Sequence, residues 1–200
     1  MSTQRSDQFY LARAMLDHGN QYKVVLIIAP LGAGKMRLVQ QWVLLWVEQS
    51  APSPLWICID NETTDLIDFL NVLFFELIKW DQNFETLFEG QVASLIEKPG
   101  FHPTDPGTIL DIQPGLENLL NQMLNQLMQF PEDRYIIILN YHNFRDPRIH
   151  PVISFLIDHL PPKIHLIISS QELPALQIPR LRARRELLEI GLDDLEYEPK

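Results

Sequence analysis

The sequence predicts an α/β fold in which helices surround a five-stranded parallel sheet. Two observations lead to this prediction. Five short apolar runs alternate with segments of helical periodicity, and a glycine-containing loop follows the first run directly. Continuous apolar runs are typical of strands buried on both faces of a parallel sheet. Strands that alternate with helices form right-handed βαβ units, and such sheets bind ligands at the carboxyl ends of their strands.

Hydrophobic periodicity and turn residues place the elements of the first half of the chain. The apolar runs at residues 23–29 and 55–59 predict strands, because both are continuous and bounded by polar or turn residues. The spacing of i, i+3 and i+4 apolar positions predicts helices at residues 9–17, after Lys35, at 65–80 and at 85–97.

The second half follows the same alternation. Residues 98–107 are too rich in Pro and Gly for a regular element. Helices are predicted at residues 114–129 and 150–160, and strands at 135–139, 163–169 and 187–190.

Length and composition indicate one domain, residues 1–200. The chain is 46% hydrophobic and 21% charged, which suits one soluble domain. A domain of this length buries about 70% of the surface that its unfolded chain exposes. The lone Cys58 lies in an apolar run, so we expect a buried thiol and no disulfide. No apolar run approaches a membrane span, and the polar N-terminus lacks an export signal. We therefore expect a soluble cytoplasmic protein.

The charge of the chain argues against nucleic acid as a direct partner. A formal net charge of −10 repels a polyanion. One basic cluster, residues 180–185, contains four arginines. We interpret it as a solvated helix face or a surface for a protein partner, with Glu189, Asp193 and Asp194 as nearby acids.

The segment Ala29-Pro-Leu-Gly-Ala-Gly-Lys-Met36 has the pattern of a phosphate-binding P-loop. Such a loop holds nucleotide phosphates with backbone N–H groups and one lysine, and a Ser or Thr hydroxyl after the lysine ligates Mg²⁺. The chain has Met36 at that position. The predicted phosphate-binding residues are Pro30, Gly32, Ala33, Gly34, Lys35 and Met36.

A P-loop enzyme also needs a carboxylate at the end of another strand to hold Mg²⁺. The strand at 135–139 is followed by Asn140, Tyr141 and His142, which provide no carboxylate. Loss of charge stabilisation by a metal forfeits several kcal/mol of barrier reduction. We therefore predict no catalytic residues, no metal site and slow or absent hydrolysis.

Four short segments occur in a recognisable order. They read Ala-Pro-Leu-Gly-Ala-Gly-Lys-Met at 29–36, Trp-Ile-Cys-Ile-Asp at 56–60, Ile-Leu-Asn-Tyr-His at 138–142 and Ile-Ile-Ser-Ser-Gln at 167–171. From about residue 9 to 197 the chain resembles the MalT-like NTPase domains of large LuxR-type transcription activators, members of the STAND class. This resemblance implies a three-layer P-loop NTPase fold of the ASCE/AAA-like kind, with strand order 5-1-4-3-2.

The chain departs from the family at its chemical positions. The family's metal-binding Thr corresponds to Met36, its two Walker B acids to Leu139 and Asn140, and its phosphate-sensing Arg to Gln171. The resemblance thus implies a site for ATP or ADP, with Asn140 and Gln171 at its rim and Mg²⁺ binding weakened. It implies a regulatory domain of a signal-transduction protein that acts through a protein partner or self-association.

Two alternatives to this pseudo-NTPase remain open. One is a working ATPase with non-standard metal ligands, and the other is a module that only binds proteins. The chain ends where the family continues into helical lid, winged-helix, repeat and DNA-binding regions, so we expect either a truncated product or a stand-alone core.

Other candidate residues have simpler interpretations. His142, His150, His159 and His165 lack the spacing of a metal site, so we expect capping or packing. Asp60 and Glu62 belong to a strand that the resemblance places at the sheet edge, far from Lys35. Trp42, Trp46 and Trp56 are expected in the core.

Overall fold

Five parallel strands form one sheet at the centre of the molecule. The computed structural model describes residues 21–59, 65–89 and 114–195. The strands run in the order β2-β3-β4-β1-β5, which is the predicted order read from the other edge. Their bounds are β1 Val24–Ile28, β2 Leu55–Cys58, β3 Arg134–Leu139, β4 Ile164–Ser170 and β5 Leu187–Ile190.

Seven helices and one short 3₁₀ helix lie between or after the strands within the described residues. The helices are α1 Lys35–Glu48, α2 Leu66–Ile78, α3 Asn83–Glu89, α4 Pro114–Leu127, α5 Ile149–His159, α6 Ile178–Arg184 and α7 Leu192–Leu195. The 3₁₀ helix is Tyr141–Asn143. Asp65 caps α2, because its side chain accepts a hydrogen bond from the amide of Asp68 at 2.9 Å.

Alternating side chains give the sheet two buried faces, and each face carries its own apolar core. Val24 and Leu26 contribute to the larger core with residues from α2 to α6, whereas Val25 and Ile27 contribute to the smaller core with residues from α1 and α7. The sheet between two layers of helices makes the three-layer architecture that was predicted. All residues of β4 are buried, as expected for a central strand.

Strand register brings the carboxyl ends of β1, β3 and β4 together. Ile28 pairs with Ser170 and Ile138 pairs with Ile168, so residues that follow these strands share one edge of the sheet. Helix α1 begins at that edge after the glycine loop. The fold therefore places the loop 29–36 next to the segments that follow β3 and β4.

Some predictions differ from the structure or lie outside the described residues. Cys58 is exposed, so the prediction of a buried thiol is wrong: β2 is an edge strand, and the side of its last residue is uncovered. The helix predicted at 85–97 is described as α3, which begins at Asn83, and its predicted end lies outside the described residues. The predicted helix at 9–17 and the irregular segment 98–107 also lie outside them. Trp42 and Trp46 lie in the core as predicted, while Trp56 is half-buried.

Candidate functional site

The loop after β1 folds as a tight turn that needs glycine at two positions. The amide of Ala33 donates to the carbonyl of Pro30 at 3.3 Å, and the turn so closed has Gly32 at φ 85°. Gly34 has φ 90° and precedes the first turn of α1. A Cβ atom on Gly32 would meet no atom within 4 Å, so the space beside Gly32 is open. Glycine is required there because of its positive φ and not because of crowding.

Backbone amides of this loop are free to bind an anion. Within the described residues, the N–H groups of Gly32, Gly34, Lys35 and Met36 have no hydrogen-bond acceptor, and no side chain caps α1. Unpaired amides at a helix N-terminus, together with the helix macrodipole, attract negative charge. The arrangement suits the phosphates of a nucleotide.

Lys35 lies under the loop and is almost fully buried. Its Nζ atom donates to the carbonyl oxygens of Ala29 at 2.5 Å and Pro30 at 2.8 Å. Burial lowers the pKa of Lys35, which shows that its ammonium group is incompletely solvated. A phosphate oxygen would offer this amine a charged acceptor in place of the two neutral carbonyls.

Met36 is partly accessible at the position where a P-loop normally holds a hydroxyl. Its side chain is 44% exposed. Helix α1 buries Leu38 and Val39, whereas Met36 in its first turn stays accessible. The position contributes neither a metal ligand nor core packing.

The residues at the end of β3 differ in their access to the site. Leu139 is buried at 4% exposure and faces the core shared with α1, whereas Asn140 is half-buried at φ 58°. Asn is among the residues that adopt the left-handed region with least strain. Its carbonyl accepts a hydrogen bond from the amide of Asn143 at 2.8 Å, so Asn140 turns the chain into the 3₁₀ helix.

His142 and Gln171 meet at this edge in a contact that was not predicted. The backbone amide of Gln171 donates to Nδ1 of His142 at 3.3 Å, and the side chain of Gln171 is exposed. Burial lowers the pKa of His142, and the positive charges of Lys35 and Arg145 lower it further, whereas Glu172 raises it. His142 was predicted to pack or cap; its position directly after β3 is the signal that could have placed it in the site.

The described residues contain no group of three or more His, Cys, Asp or Glu side chains that could hold a metal ion. Glu172 is the carboxylate that acts on His142 from the segment after β4. Asp60 and Glu62 lie outside the described residues. Lys35, Met36, Asn140 and Gln171 thus share an edge where the described residues include no acid cluster of the kind that a metal-dependent phosphotransfer site uses.

The other predicted groups have structural partners. Arg182 pairs with Glu189, and Arg180 and Arg184 pair with Asp158, so the basic cluster is an exposed helix face held by acids, as expected. His150 accepts or donates a 2.8 Å hydrogen bond with the hydroxyl of Tyr141. Helices in the described ranges 21–59, 65–89 and 114–195 are too short or too polar to cross a membrane.

Sequence comparison finds no matching family model but does find similar curated proteins. The chain is 26% identical over 184 residues to the HTH-type transcriptional regulator MalT of Vibrio cholerae, and 28% identical over 187 residues to MalT of Klebsiella pneumoniae. Each match covers 92% of this chain and 18% of the regulator, so the chain spans about a fifth of their length. The resemblance to MalT-like NTPase domains is confirmed.

Solved structures with a similar fold include Cdc6p and ORC. Cdc6p from Pyrobaculum aerophilum matches with a TM-score of 0.54 at 14% identity, covering 94% of this chain and 45% of that one. Drosophila ORC bound to DNA matches with a TM-score of 0.51 at 13% identity, covering 92% of this chain and 91% of that one. These likenesses, with the strand order, confirm the P-loop NTPase fold.

Proposed function

We propose that this chain is a STAND-type regulatory domain that binds ATP or ADP at the loop 29–36 and does not hydrolyse ATP. The observation that supports binding is the conjunction of Lys35 with four amides that have no acceptor among the described residues. The amides would hold the phosphates near the start of α1, and Lys35 would neutralise the charge nearest the loop. The proposed binding residues are Pro30, Gly32, Ala33, Gly34, Lys35, Met36, Asn140 and Gln171.

The absence of hydrolysis rests on the groups beside that cradle. When bound, Mg²⁺ supplies charge neutralisation at the phosphates that react. The side chains in the corresponding places are the exposed thioether of Met36 and the amide of Asn140, which carry no negative charge. We therefore expect Mg²⁺ to contribute little to binding, and the bound nucleotide to persist as a signal.

The regulatory role is proposed from similarity to MalT, which is named as a transcriptional regulator. This chain matches 18% of that regulator. The proposed partner that reads the nucleotide state is a protein or a second copy. The net charge of −10 makes direct contact with nucleic acid unfavourable for this domain.

Thermal unfolding with ATP and ADP, with and without Mg²⁺, tests the proposal. A ligand at about 100 times its dissociation constant adds about 2.7 kcal/mol of apparent stability. We expect a shift in the wild type that Lys35→Ala removes and Lys79→Ala, a change at an exposed lysine on the other side of the sheet, retains. Phosphate release is measured on the same samples.

Two outcomes would contradict the proposal in different ways. Mg²⁺-dependent phosphate release that Lys35→Ala abolishes would show a working ATPase. The absence of any nucleotide shift, with no difference between the two lysine variants, would leave a module that only binds proteins.

A further inference from the structure

We infer that His142 donates its Nε2–H to the γ-phosphate of a nucleoside triphosphate held by Lys35, and that the backbone amide of Gln171 fixes the imidazole in the tautomer this requires. The inference deepens the proposed function and rests on it. It makes His142 the residue that distinguishes ATP from ADP at the loop.

The hydrogen bond between the two residues determines where the imidazole proton lies. The N–H of Gln171 donates to Nδ1 of His142 at 3.3 Å, so Nδ1 must carry a lone pair. A neutral ring with an unprotonated Nδ1 bears its proton on Nε2 and is a donor there. Within the described residues, Nε2 of His142 has no hydrogen-bond partner.

Neighbouring contacts hold His142 in place. It is the middle residue of the 3₁₀ helix Tyr141–Asn143. On one side the buried Tyr141 is bound to His150 at 2.8 Å, and on the other the side-chain amide of Asn143 donates to the carbonyl of Ile59 at 3.1 Å. A donor carried between two anchored residues is preorganised, so little conformational freedom is lost when a ligand binds.

The position of β3 indicates which phosphate His142 would contact. The loop follows β1, and β4 lies between β1 and β3, so the segments after β1 and β3 start about 10 Å apart. In a P-loop the amides hold the phosphates nearest the helix, and the lysine reaches the β- and γ-phosphates. Because His142 follows β3, two strands from the loop, we assign it to the far end of the phosphate chain and not to the phosphates nearest α1.

Burial and the charges around His142 favour the neutral imidazole, which carries one N–H donor, before the nucleotide binds. The charged groups that act on it are Lys35 from α1, Arg145 from the segment after β3 and Glu172 from the segment after β4. Burial and the two cations lower the pKa of His142 more than Glu172 raises it. The site thus offers two donors of different kinds, an ammonium and a neutral N–H.

Three substitutions in the full chain separate the two contacts of the ring. His142→Asn keeps an acceptor near the Nδ1 position for Gln171 but removes the distal donor. His142→Gln keeps a distal N–H donor. His159→Asn is the matched control, because His159 is exposed at the end of α5 and its hydrogen-bond partner among the described residues is Phe155 of the same helix.

The measurement is the affinity of each variant for ATP and for ADP by calorimetry without added metal. We expect His142→Asn to weaken ATP about tenfold, as for a lost hydrogen bond to a charged group, and to change ADP by less than about threefold. His142→Gln should retain most of the ATP affinity, and His159→Asn should match the wild type. Long-range ¹H–¹⁵N spectra of the ligand-free protein should show the Nε2–H tautomer of His142.

The outcomes that overturn the inference are distinct from failure of the proposed function. If Lys35→Ala loses ATP while His142→Asn retains it, or loses ATP and ADP equally, the nucleotide site stands and the role of His142 is refuted. An Nδ1–H tautomer or an imidazolium at pH 7 refutes it as well. If no variant and no wild type binds nucleotide, both proposals are overturned.

Discussion

The Nζ atom of Lys35 lies 2.5 Å from the carbonyl oxygen of Ala29 and donates a hydrogen bond to it. The lysine thus bonds to the residue that directly follows β1, on the same loop whose phosphate site it would serve. The carbonyl of Pro30 accepts a second hydrogen bond from this amine, so two of the three N–H donors of the ammonium group are used inside the loop. A nucleotide phosphate at the loop would give the amine a charged acceptor in addition to, or in exchange for, these neutral ones.

Lys35→Met should leave the ligand-free protein as stable as the wild type or slightly more stable. Burial lowers the pKa of Lys35, so the folded protein disfavours the ammonium group relative to water, and methionine removes that cost. We expect the free energy of unfolding in urea to change by no more than about 1 kcal/mol. Any change should be an increase, because replacing a residue that serves binding often stabilises a protein. The stabilisation by ATP should disappear.

A clear loss of stability in Lys35→Met would contradict this account. A decrease of about 2 kcal/mol or more would mean that the bonds to Ala29 and Pro30 outweigh desolvation of the amine. Lys79→Met, at an exposed lysine, controls for the general effect of methionine.

Met36→Thr combined with Asn140→Asp should create Mg²⁺-dependent ATP binding. Both positions are accessible, Met36 at 44% exposure and Asn140 half-buried, and an Asp tolerates the left-handed backbone of Asn140. A hydroxyl after the P-loop lysine and a carboxylate at a strand end are the groups that such loops use for Mg²⁺. The thermal shift with ATP should then increase on adding Mg²⁺, which we do not expect for the wild type.

The neighbouring position shows why the second acid cannot be restored as easily. Leu139→Asp would place an unpaired carboxylate at a position with 4% exposure and should cost more than about 3 kcal/mol of unfolding free energy. The prediction for the double variant Met36→Thr with Asn140→Asp has a clear counter-result. An equal effect of Mg²⁺ on ATP binding in the wild type and in the double variant would contradict it, since other groups would then already hold the metal.

Sequence reasoning located the strands well because their signal is local. The run 163–169 predicted β4 within one residue at each end, since a central strand is apolar on both faces. The strand order came from the resemblance, because periodicity does not say which strands are neighbours. The environment of Cys58 was predicted wrongly, since an edge strand has the same apolar run as a central one but one uncovered side.

The candidate site was predictable only in part for a similar reason. The loop 29–36 is contiguous, so its glycines and Lys35 could be read directly. The contact between His142 and Gln171 joins residues 29 positions apart and depends on the register of β3 against β4. The donor in this contact is the backbone N–H of Gln171, which nearly every residue type would provide, so the sequence at position 171 does not reveal it.

Asp146 should make stability depend on pH in the acid range. Burial raises the pKa of this carboxyl, but hydrogen bonds from the side chain and amide of Arg148 and from the amide of Leu66 outweigh burial and lower the pKa overall. A folded-state pKa below the unfolded value stabilises the protein above about pH 4. This contribution is lost as the pH falls through the lower, folded-state pKa.

Asp146→Asn isolates that contribution. Because Asp146 is 8% exposed and bonds to a cation, we expect a loss of about 1.5–3 kcal/mol at pH 7 that shrinks as the pH falls below 4. Urea unfolding between pH 3 and pH 7 would measure it, with Glu117→Gln on the exposed side of α4 as the control. A difference between wild type and Asp146→Asn that is the same at both ends of this range would exclude the ionic contribution.

Tyr135→Phe should stabilise the protein, because the Tyr135 hydroxyl is buried without a hydrogen-bond partner among the described residues. Burial, with a smaller effect from the charge of Asp133, raises its pKa, so the group stays neutral. The ring lies 4.5 Å from that of Trp42, 4.8 Å from Trp46 and 4.9 Å from His165 between centroids. Phenylalanine keeps these contacts and removes only the desolvated oxygen, so we expect a gain of about 1 kcal/mol.

Tyr135→Leu separates the hydroxyl from the ring. It also removes the oxygen but loses the edge-to-face contacts with both tryptophans, each worth about 0.5–1.5 kcal/mol beyond buried area, so it should destabilise the protein. Urea unfolding followed by tryptophan fluorescence would measure both variants. If Tyr135→Phe lost more than about 1 kcal/mol, the hydroxyl would have to be donating or accepting a hydrogen bond, because only a lost partner costs that much when the ring is retained.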